Sequence, residues 1–430
     1  MGRNSRMLGA GVALLMATSA CVANPASEMP APIAQQAASA NLQEDLQSLV
    51  DRQRIPGAVA IVARDGERLA QARAGWQDVE KREPLTEDAL FRLYSMSKPI
   101  TSVAILMLAD QGKLRLDDPV SRYLPELEGL QVYASGGLDD MQTVPANGPI
   151  TIAQLLTHTS GITYHFTGNT PVHQFYRKYG VMRDTPVGRT PLDGPPARSL
   201  DELVEKLGDA PLLHQPGETF AYSYSTTVLG AVVERITGQS LDQALENMLF
   251  APLRMTNTGF FVTDNDLDRF TTLYKDTPSG IEPIEQPETS DYRNRSRLLD
   301  GGGAIVGTAA DYLRFAQMLA NGGELDGHRF LKQETVADMF APHARIEGLG
   351  DTKLPFGYGL SIGTDESAKL GYQPAGTVSW SGSGNTYFFI DPQTDLVALL
   401  MTHELIGADQ ARTLEIRSAL NRAAAPFMGR

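Results

Sequence analysis

The sequence predicts a two-part molecule: an α/β domain assembled from both ends of the chain, with a mainly helical domain inserted between them. Three observations carry that reading. The N-terminal part supplies a hairpin pattern and then a strong helical pattern. The C-terminal part supplies a helix, four apolar strand-like runs and a last helix. The middle mixes short helical patterns with long loops rich in Pro and Gly. A chain of 430 residues has room for two or three domains and can bury a core without metals or disulfides.

Composition narrows the class. Apolar residues make up 42% and charged residues 20%, a globular rather than a disordered balance. Lys and Arg total 37 against 51 Asp and Glu, a net charge of −14. No basic footprint for nucleic acid exists, and an anionic membrane surface would repel this chain on average. The single cysteine, Cys21, allows neither an internal disulfide nor a cysteine-based zinc site.

The elements follow in order. Arg3 and Arg6, an apolar run over 8–17 and the small residues Thr18, Ser19 and Ala20 form the three-part layout of a secretory signal over 1–20. That run is too short to span a bilayer, and no later segment offers 18 uninterrupted apolar residues. The chain is therefore expected to be exported. Cys21 follows directly and reads either as a lipidation site, giving an envelope-anchored lipoprotein, or as a neighbour of ordinary cleavage after Ala20 or Ala23. Residues 21–41 read as a flexible tether. The first domain occupies 42–115 and 299–430, with the helical insert over 116–298. A helix is expected over 42–54, a hairpin over 58–74 around Asp65-Gly66, and a helix over 95–111. Beyond Gly301 come a helix over 309–320, strands near 358–362, 377–380, 386–390 and 397–402, and a helix over 408–424.

Three segments could carry chemistry. In Leu93-Tyr94-Ser95-Met96-Ser97-Lys98 a strand-like stretch runs into a helix. Residues three apart share a helix face, so Lys98 reaches back to the Ser95 hydroxyl, whereas Ser97 points away from it. A hydroxyl needs a base or a nearby cation to become a nucleophile, and a desolvated Lys supplies either. The same spacing arises by chance, and Ser is a common N-cap. Phe220-Ala221-Tyr222-Ser223-Tyr224 precedes a helical pattern, and a Tyr there is either a general base or a core ring. Residues 378–386 place the small residues Ser381, Gly382, Ser383 and Gly384 ahead of a strand, where free N–H groups can form part of an oxyanion hole or simply close a hairpin.

Taken in this order, the three segments resemble the serine β-lactamase and penicillin-binding-protein-like superfamily, closest to class C β-lactamases and family VIII carboxylesterases. The resemblance covers about 42–424, with supporting stretches at 88–95, 155–161, 216–222, 252–255 and 301–308. It implies an α+β fold, an antiparallel sheet flanked by helices. It makes Ser95 the acylated nucleophile, Lys98 its activating partner and Tyr222 the residue that moves the proton. It assigns the oxyanion hole to the backbone N–H groups of Ser95 and Ser383, and substrate binding to Tyr224, Trp380, Ser381 and Gly382. His158 and Gly161 fall in a stretch read as structural.

Two departures favour an esterase. Class C enzymes carry Asn two residues after the catalytic Tyr, where this chain has Tyr224. Their Lys-Thr-Gly triplet, which binds a substrate carboxylate, is here Trp380-Ser381-Gly382. A carboxylate would lose a charge-assisted hydrogen bond worth about 1.5–3 kcal/mol, whereas a neutral ester has no such need. The segment Tyr222-Ser223-Tyr224 and the Trp-containing triplet look like those of family VIII esterases. The expected function is thus an exported serine esterase acting on small-molecule esters. A weak class C-type β-lactamase, a D-alanyl-D-alanine peptidase or a catalytically idle binding protein are the alternatives. No cofactor is expected. No Gly-x-Ser-x-Gly elbow precedes a helical pattern, 302–308 lacks the Lys of a phosphate loop, and His165 and His173 lack metal-ligand spacing. Tyr164, Phe166, Phe175, Tyr176 and Tyr179 share one loop region, lining an acyl pocket or packing within the insert.

Overall fold

A computed structural model describes residues 31–184, 190–191, 193–277, 280–347, 353–405, 407 and 409–429. The signal segment and Cys21 lie outside the described residues.

The centre is a nine-stranded antiparallel sheet built from both ends of the chain. Its strands are β1 (Gly57–Arg64), β2 (Glu67–Asp78), β3 (Glu83–Pro84), β4 (Ala344–Glu347), β5 (Lys353–Phe356), β6 (Ser361–Ile362), β7 (Val378–Ser381), β8 (Tyr387–Asp391) and β9 (Leu396–Thr402). They run β4-β5-β6-β7-β8-β9-β1-β2-β3, so β1 and β9, from opposite ends of the sequence, pair at the centre with Ala60 opposite Leu400. The fold is α+β.

Alternation along β1 shows why helices cover both faces. Ala58, Ala60 and Val62 pack with α1 (Ala31–Asp51) and with the last helix, Gln410–Ala424. Val59, Ile61 and Ala63 point the other way, toward α2 (Ser97–Asp110) and the helix Ala309–Ala320. A sheet covered on both faces needs apolar residues at successive positions, and β1 is buried along nearly its whole length.

α1 corrects one expectation. The flexible tether assigned to 21–41 does not reach 41, because the helix begins at Ala31. Its Ala- and Gln-rich start lacks large apolar residues, yet Ala is the best helix former. Ala38, Leu42, Leu46 and Leu49 continue one buried stripe, and Gln43 brackets the Arg73 backbone of β2 through both its amide groups.

The region 116–298 differs from a separate helical domain in two ways. It contains hairpins at Gln131–Ser135 with Gln142–Pro145 and at Leu273–Thr277 with Gly280–Glu285. The second pairs in parallel with Glu404–Leu405 from the C-terminal part. Nor does it have its own core. One apolar cluster runs without a break from Phe91, Leu93 and α2 into Leu155, Leu203 and Val228 of the inserted region. The helix Ser225–Thr237, here α3, packs directly on α2.

Candidate active site

The short strand Phe91–Arg92, paired with Val306–Gly307, leads the chain into the site. Tyr94 then takes a left-handed φ of +46°, uncommon for a residue with a side chain. A single turn of 3-10 helix, Tyr94–Met96, turns the chain into α2 and sets Ser95 on the wall of a cavity of about 360 Å³. The Tyr312 hydroxyl donates to the Met96 carbonyl at 3.0 Å and ties this turn to the helix behind it.

Lys98 lies one turn further, buried, with Nζ 3.1 Å from Ser95 Oγ and 2.6 Å from the Gly302 carbonyl oxygen. Burial pulls its pKa down to about 7; Asp300 opposes that shift and Arg183 adds to it. The amine is therefore extensively neutral at physiological pH and can accept a proton. Ser97 takes no part: its hydroxyl accepts the Ile305 N–H at 3.2 Å.

The glycines at 301–303 hold the wall against α2. A Cβ on Gly301 would lie 2.8 Å from Thr101 Oγ1, and the Thr101 hydroxyl donates to the Gly301 carbonyl at 2.8 Å. Asp300 Oδ1 accepts from the Gly302 N–H at 2.8 Å and from Thr227 Oγ1 at 2.6 Å. The loop thus aims the Gly302 carbonyl at Lys98.

Tyr222 stands on the extended stretch before α3. The neighbouring Ala221 N–H donates to the His158 carbonyl at 2.8 Å, and the His158 ring lies 4.9 Å from the Tyr222 ring. Lys98 Nζ is 4.6 Å from the centre of the Tyr222 ring. Burial raises the phenol pKa well above its ordinary value, and the nearby Ser95 hydroxyl and Trp380 indole N–H partly offset that. His158, read from sequence as structural, is buried with Nδ1 2.9 Å from Ser223 Oγ, and burial holds its pKa far down. Gly161 has a left-handed φ of +85°, and a Cβ there would meet the His214 carbonyl at 2.2 Å.

From the far side, β7 brings its turn against the nucleophile segment. A Cβ on Gly382 would lie 2.3 Å from the Leu93 carbonyl oxygen and 2.4 Å from Thr386 Oγ1, so only glycine fits. Ser383 reaches the cavity beside Ser95. Among the described residues no acceptor engages the N–H of Ser95 or of Ser383.

The structure brings Ser95, Lys98, Tyr222 and Ser383 together. Of the residues expected to bind substrate, Tyr224 lines the cavity, but it is buried and its hydroxyl sits 2.7 Å from His165 Nδ1. Trp380 packs its ring 5.8 Å from Tyr222, and Trp380, Ser381 and Gly382 are not among the lining residues. Trp380 and Ser381 pair with Phe388 and Tyr387 of β8 at the end of β7, and Gly382 begins the turn that follows. Of the five clustered aromatics, Tyr164 and Phe166 line the cavity, Tyr176 is core, and Phe175 packs on Tyr179.

The sequence reading missed the ionic wall. Arg183 Nη1 lies 3.5 Å from Asp300 Oδ2 and donates to the Gly303 carbonyl at 2.8 Å. Asp300 carried a signal, standing directly before three glycines; Arg183 lies in a loop with none. Among the described residues no three His, Cys, Asp or Glu side chains gather as metal ligands.

Ser95 thus stands on a helix-initiating turn with the buried Lys98 amine 3.1 Å from its hydroxyl, and the half-buried Tyr222 ring lies 4.6 Å from that amine. The chain belongs to the β-lactamase family, whose model matches residues 42–421. Esterase EstB of Burkholderia gladioli is 36% identical over 398 residues, covering 87% of this chain and 92% of its own. A lovastatin esterase of Penicillium rubens is 30% identical over 393 residues, covering 85% and 91%. The structure of EstCE1, described as a hydrolase with promiscuous acyltransferase activity, matches with a TM-score of 0.75 at 31% identity, covering 90% of this chain and 99% of that one.

Proposed function

We propose that the protein is an exported carboxylesterase that cleaves small-molecule esters through an acyl-enzyme on Ser95. Its family and its esterase relatives make it a serine hydrolase of the carboxylic ester type. The observation that carries the residue assignment is Lys98 Nζ, 3.1 Å from Ser95 Oγ with its pKa drawn down to about 7.

In this reading the neutral Lys98 amine takes the Ser95 proton as Oγ attacks the ester carbonyl. The N–H groups of Ser95 and Ser383 hold the oxygen that gains charge. Collapse expels the alcohol, which takes a proton from the Tyr222 phenol, and the Lys98 ammonium returns one to Tyr222. Water then attacks the acyl-enzyme by the same route and releases the acid. The raised phenol pKa keeps Tyr222 protonated until the more basic alkoxide takes its proton, and the lowered amine pKa leaves part of Lys98 neutral at about pH 7 to accept one. The Trp380-Ser381-Gly382 triplet offers no cation to a carboxylate, which sets esters ahead of β-lactams and peptides.

Hydrolysis of p-nitrophenyl butyrate by wild type, lost in Ser95→Ala, is the expected result; near-normal turnover in the variant would overturn the assignment. Export and envelope anchoring belong to the same proposal and rest on residues 1–21. Mass spectrometry of the mature N-terminus from native envelopes tests them: a diacylglyceryl Cys21 means a lipoprotein, an unmodified start after Ala20 or Ala23 a free periplasmic protein, and a retained Met1 no export.

A further inference from the structure

Phe166 is 63% exposed, yet it lines the same cavity as Ser95. Its ring stacks on Tyr164, centroids 4.7 Å apart and planes 22° apart. Tyr164 in turn meets Tyr222 edge-on at 5.4 Å and Tyr224 at 4.4 Å, and its ring lies 5.5 Å from Lys98 Nζ. An unbroken run of aromatic faces therefore leads from solvent to the reacting groups. The charged residues of the cavity come from other segments, at 183–184 and 285–300. Among the described residues none covers the outer face of Phe166 enough to bury it.

We infer that the Phe166–Tyr164 stack is a platform for a flat aromatic group carried on the alcohol side of the ester, and that Phe166 sets this preference. The inference rests on the esterase reading above. In that reading Tyr222 delivers a proton to the leaving oxygen, so the wall that touches Tyr222 borders the departing alcohol. A ring one carbon beyond that oxygen can leave along Tyr164 and Phe166, extending their stack by one more plane. Aromatic pairs prefer offset-stacked or edge-on contact and gain about 2- to 12-fold in binding beyond what equal apolar area supplies. A leucine in place of Phe166 keeps the apolar area and loses the plane.

The test compares benzyl butyrate with hexyl butyrate, and p-nitrophenyl phenylacetate with p-nitrophenyl hexanoate, in wild type, Phe166→Leu and Phe166→Trp. The exposed position leaves the core intact in both variants. Phe166→Leu is expected to lose about 5-fold in kcat/KM on benzyl butyrate and less than about 2-fold on hexyl butyrate, with Phe166→Trp keeping the benzyl rate. Equal losses on both butyrates, or none, would overturn the platform. A loss confined to the phenylacetyl ester would overturn its placement on the alcohol side. Wild type that hydrolyses hexyl butyrate through Ser95 while the variants show no selectivity sinks this inference alone. No ester turnover at all in wild type sinks the esterase reading, and this inference with it.

Discussion

On one side of the cleft, Ser95 and Lys98 sit three residues apart on one turn of chain; on the other, Arg183 meets Gly303 across 120 residues of sequence. The first arrangement is local. Once α2 forms, its geometry brings the amine to the hydroxyl, and burial in the apolar core does the rest. The second exists only after the whole chain has folded, and it tunes the first: Asp300 holds the Gly302 loop in place and pushes back against the fall in the Lys98 pKa. In the proposed mechanism the nucleophile and its base sit on the near wall, and the charges that tune the base sit on the far one.

The largest effect should come from breaking the near wall. Lys98→Ala leaves Ser95 without a base and is expected to lower kcat by about 10²- to 10⁴-fold. Added alkylamines would recover part of that loss in a size-dependent way if the missing function is a proton acceptor. A loss under 10-fold, within ordinary mutational scatter, would mean that Tyr222 serves as the base without help.

Next in size is the seam where the walls meet. Gly382→Ala drives a Cβ into the Leu93 carbonyl and Thr386. Overpacking of this kind costs about 1–3 kcal/mol and would move the backbone that carries Ser95. We expect a melting temperature several degrees lower and kcat down about 10- to 100-fold, since small misplacements of a nucleophile are costly. Unchanged kcat with lower stability would show that the seam is structural only.

The coupling between the walls should appear as a pH shift. In the proposed mechanism Lys98 acts as the neutral amine, so kcat/KM is expected to rise with pH through about 7. Asp300→Asn keeps the acceptor for Thr227 and Gly302 but removes a charge that raises the lysine pKa. The acidic limb should then move to lower pH. Arg183→Gln removes a charge that lowers it and should move the limb the other way. Opposite displacements confirm the coupling; limbs that stay put in both variants would refute it.

The same contrast explains what could be read in the sequence. Strands β1, β2, β7, β8 and β9, α2 and the Ser95–Lys98 pair are signalled by periodicity and spacing, because each is decided within a few residues, whereas the short strands β3, β4 and β5 carry no such pattern. Tyr222 and the 381–384 turn needed the family resemblance as well, since nothing local distinguishes a catalytic tyrosine from a core one. The start of α1 was hidden because alanine forms helices without an apolar pattern, and its docking on β2 lies thirty residues away. The 116–298 region was read as a domain because its loops and short helices differ from the rest. Its core is nevertheless continuous with α2, a fact set by packing between distant segments. Arg183 is hidden for the same reason.

Tyr224 gives the smallest and most discriminating prediction. By position it replaces a residue that β-lactamases of class C use to hold substrate, and it does line the cavity. Its hydroxyl, however, already faces His165 Nδ1 at 2.7 Å, and its ring is wedged edge-on against Tyr164. A hydroxyl committed to a buried partner has little left for substrate. Tyr224→Phe keeps the ring and leaves His165 without that partner, so it should cost about 1 kcal/mol of stability. For small esters, kcat/KM should change by less than about 5-fold, because a single neutral hydrogen bond typically contributes about 1 kcal/mol. A tenfold rise in KM with normal stability would show that the hydroxyl turns from His165 to the substrate, and the far wall would then bind as well as tune.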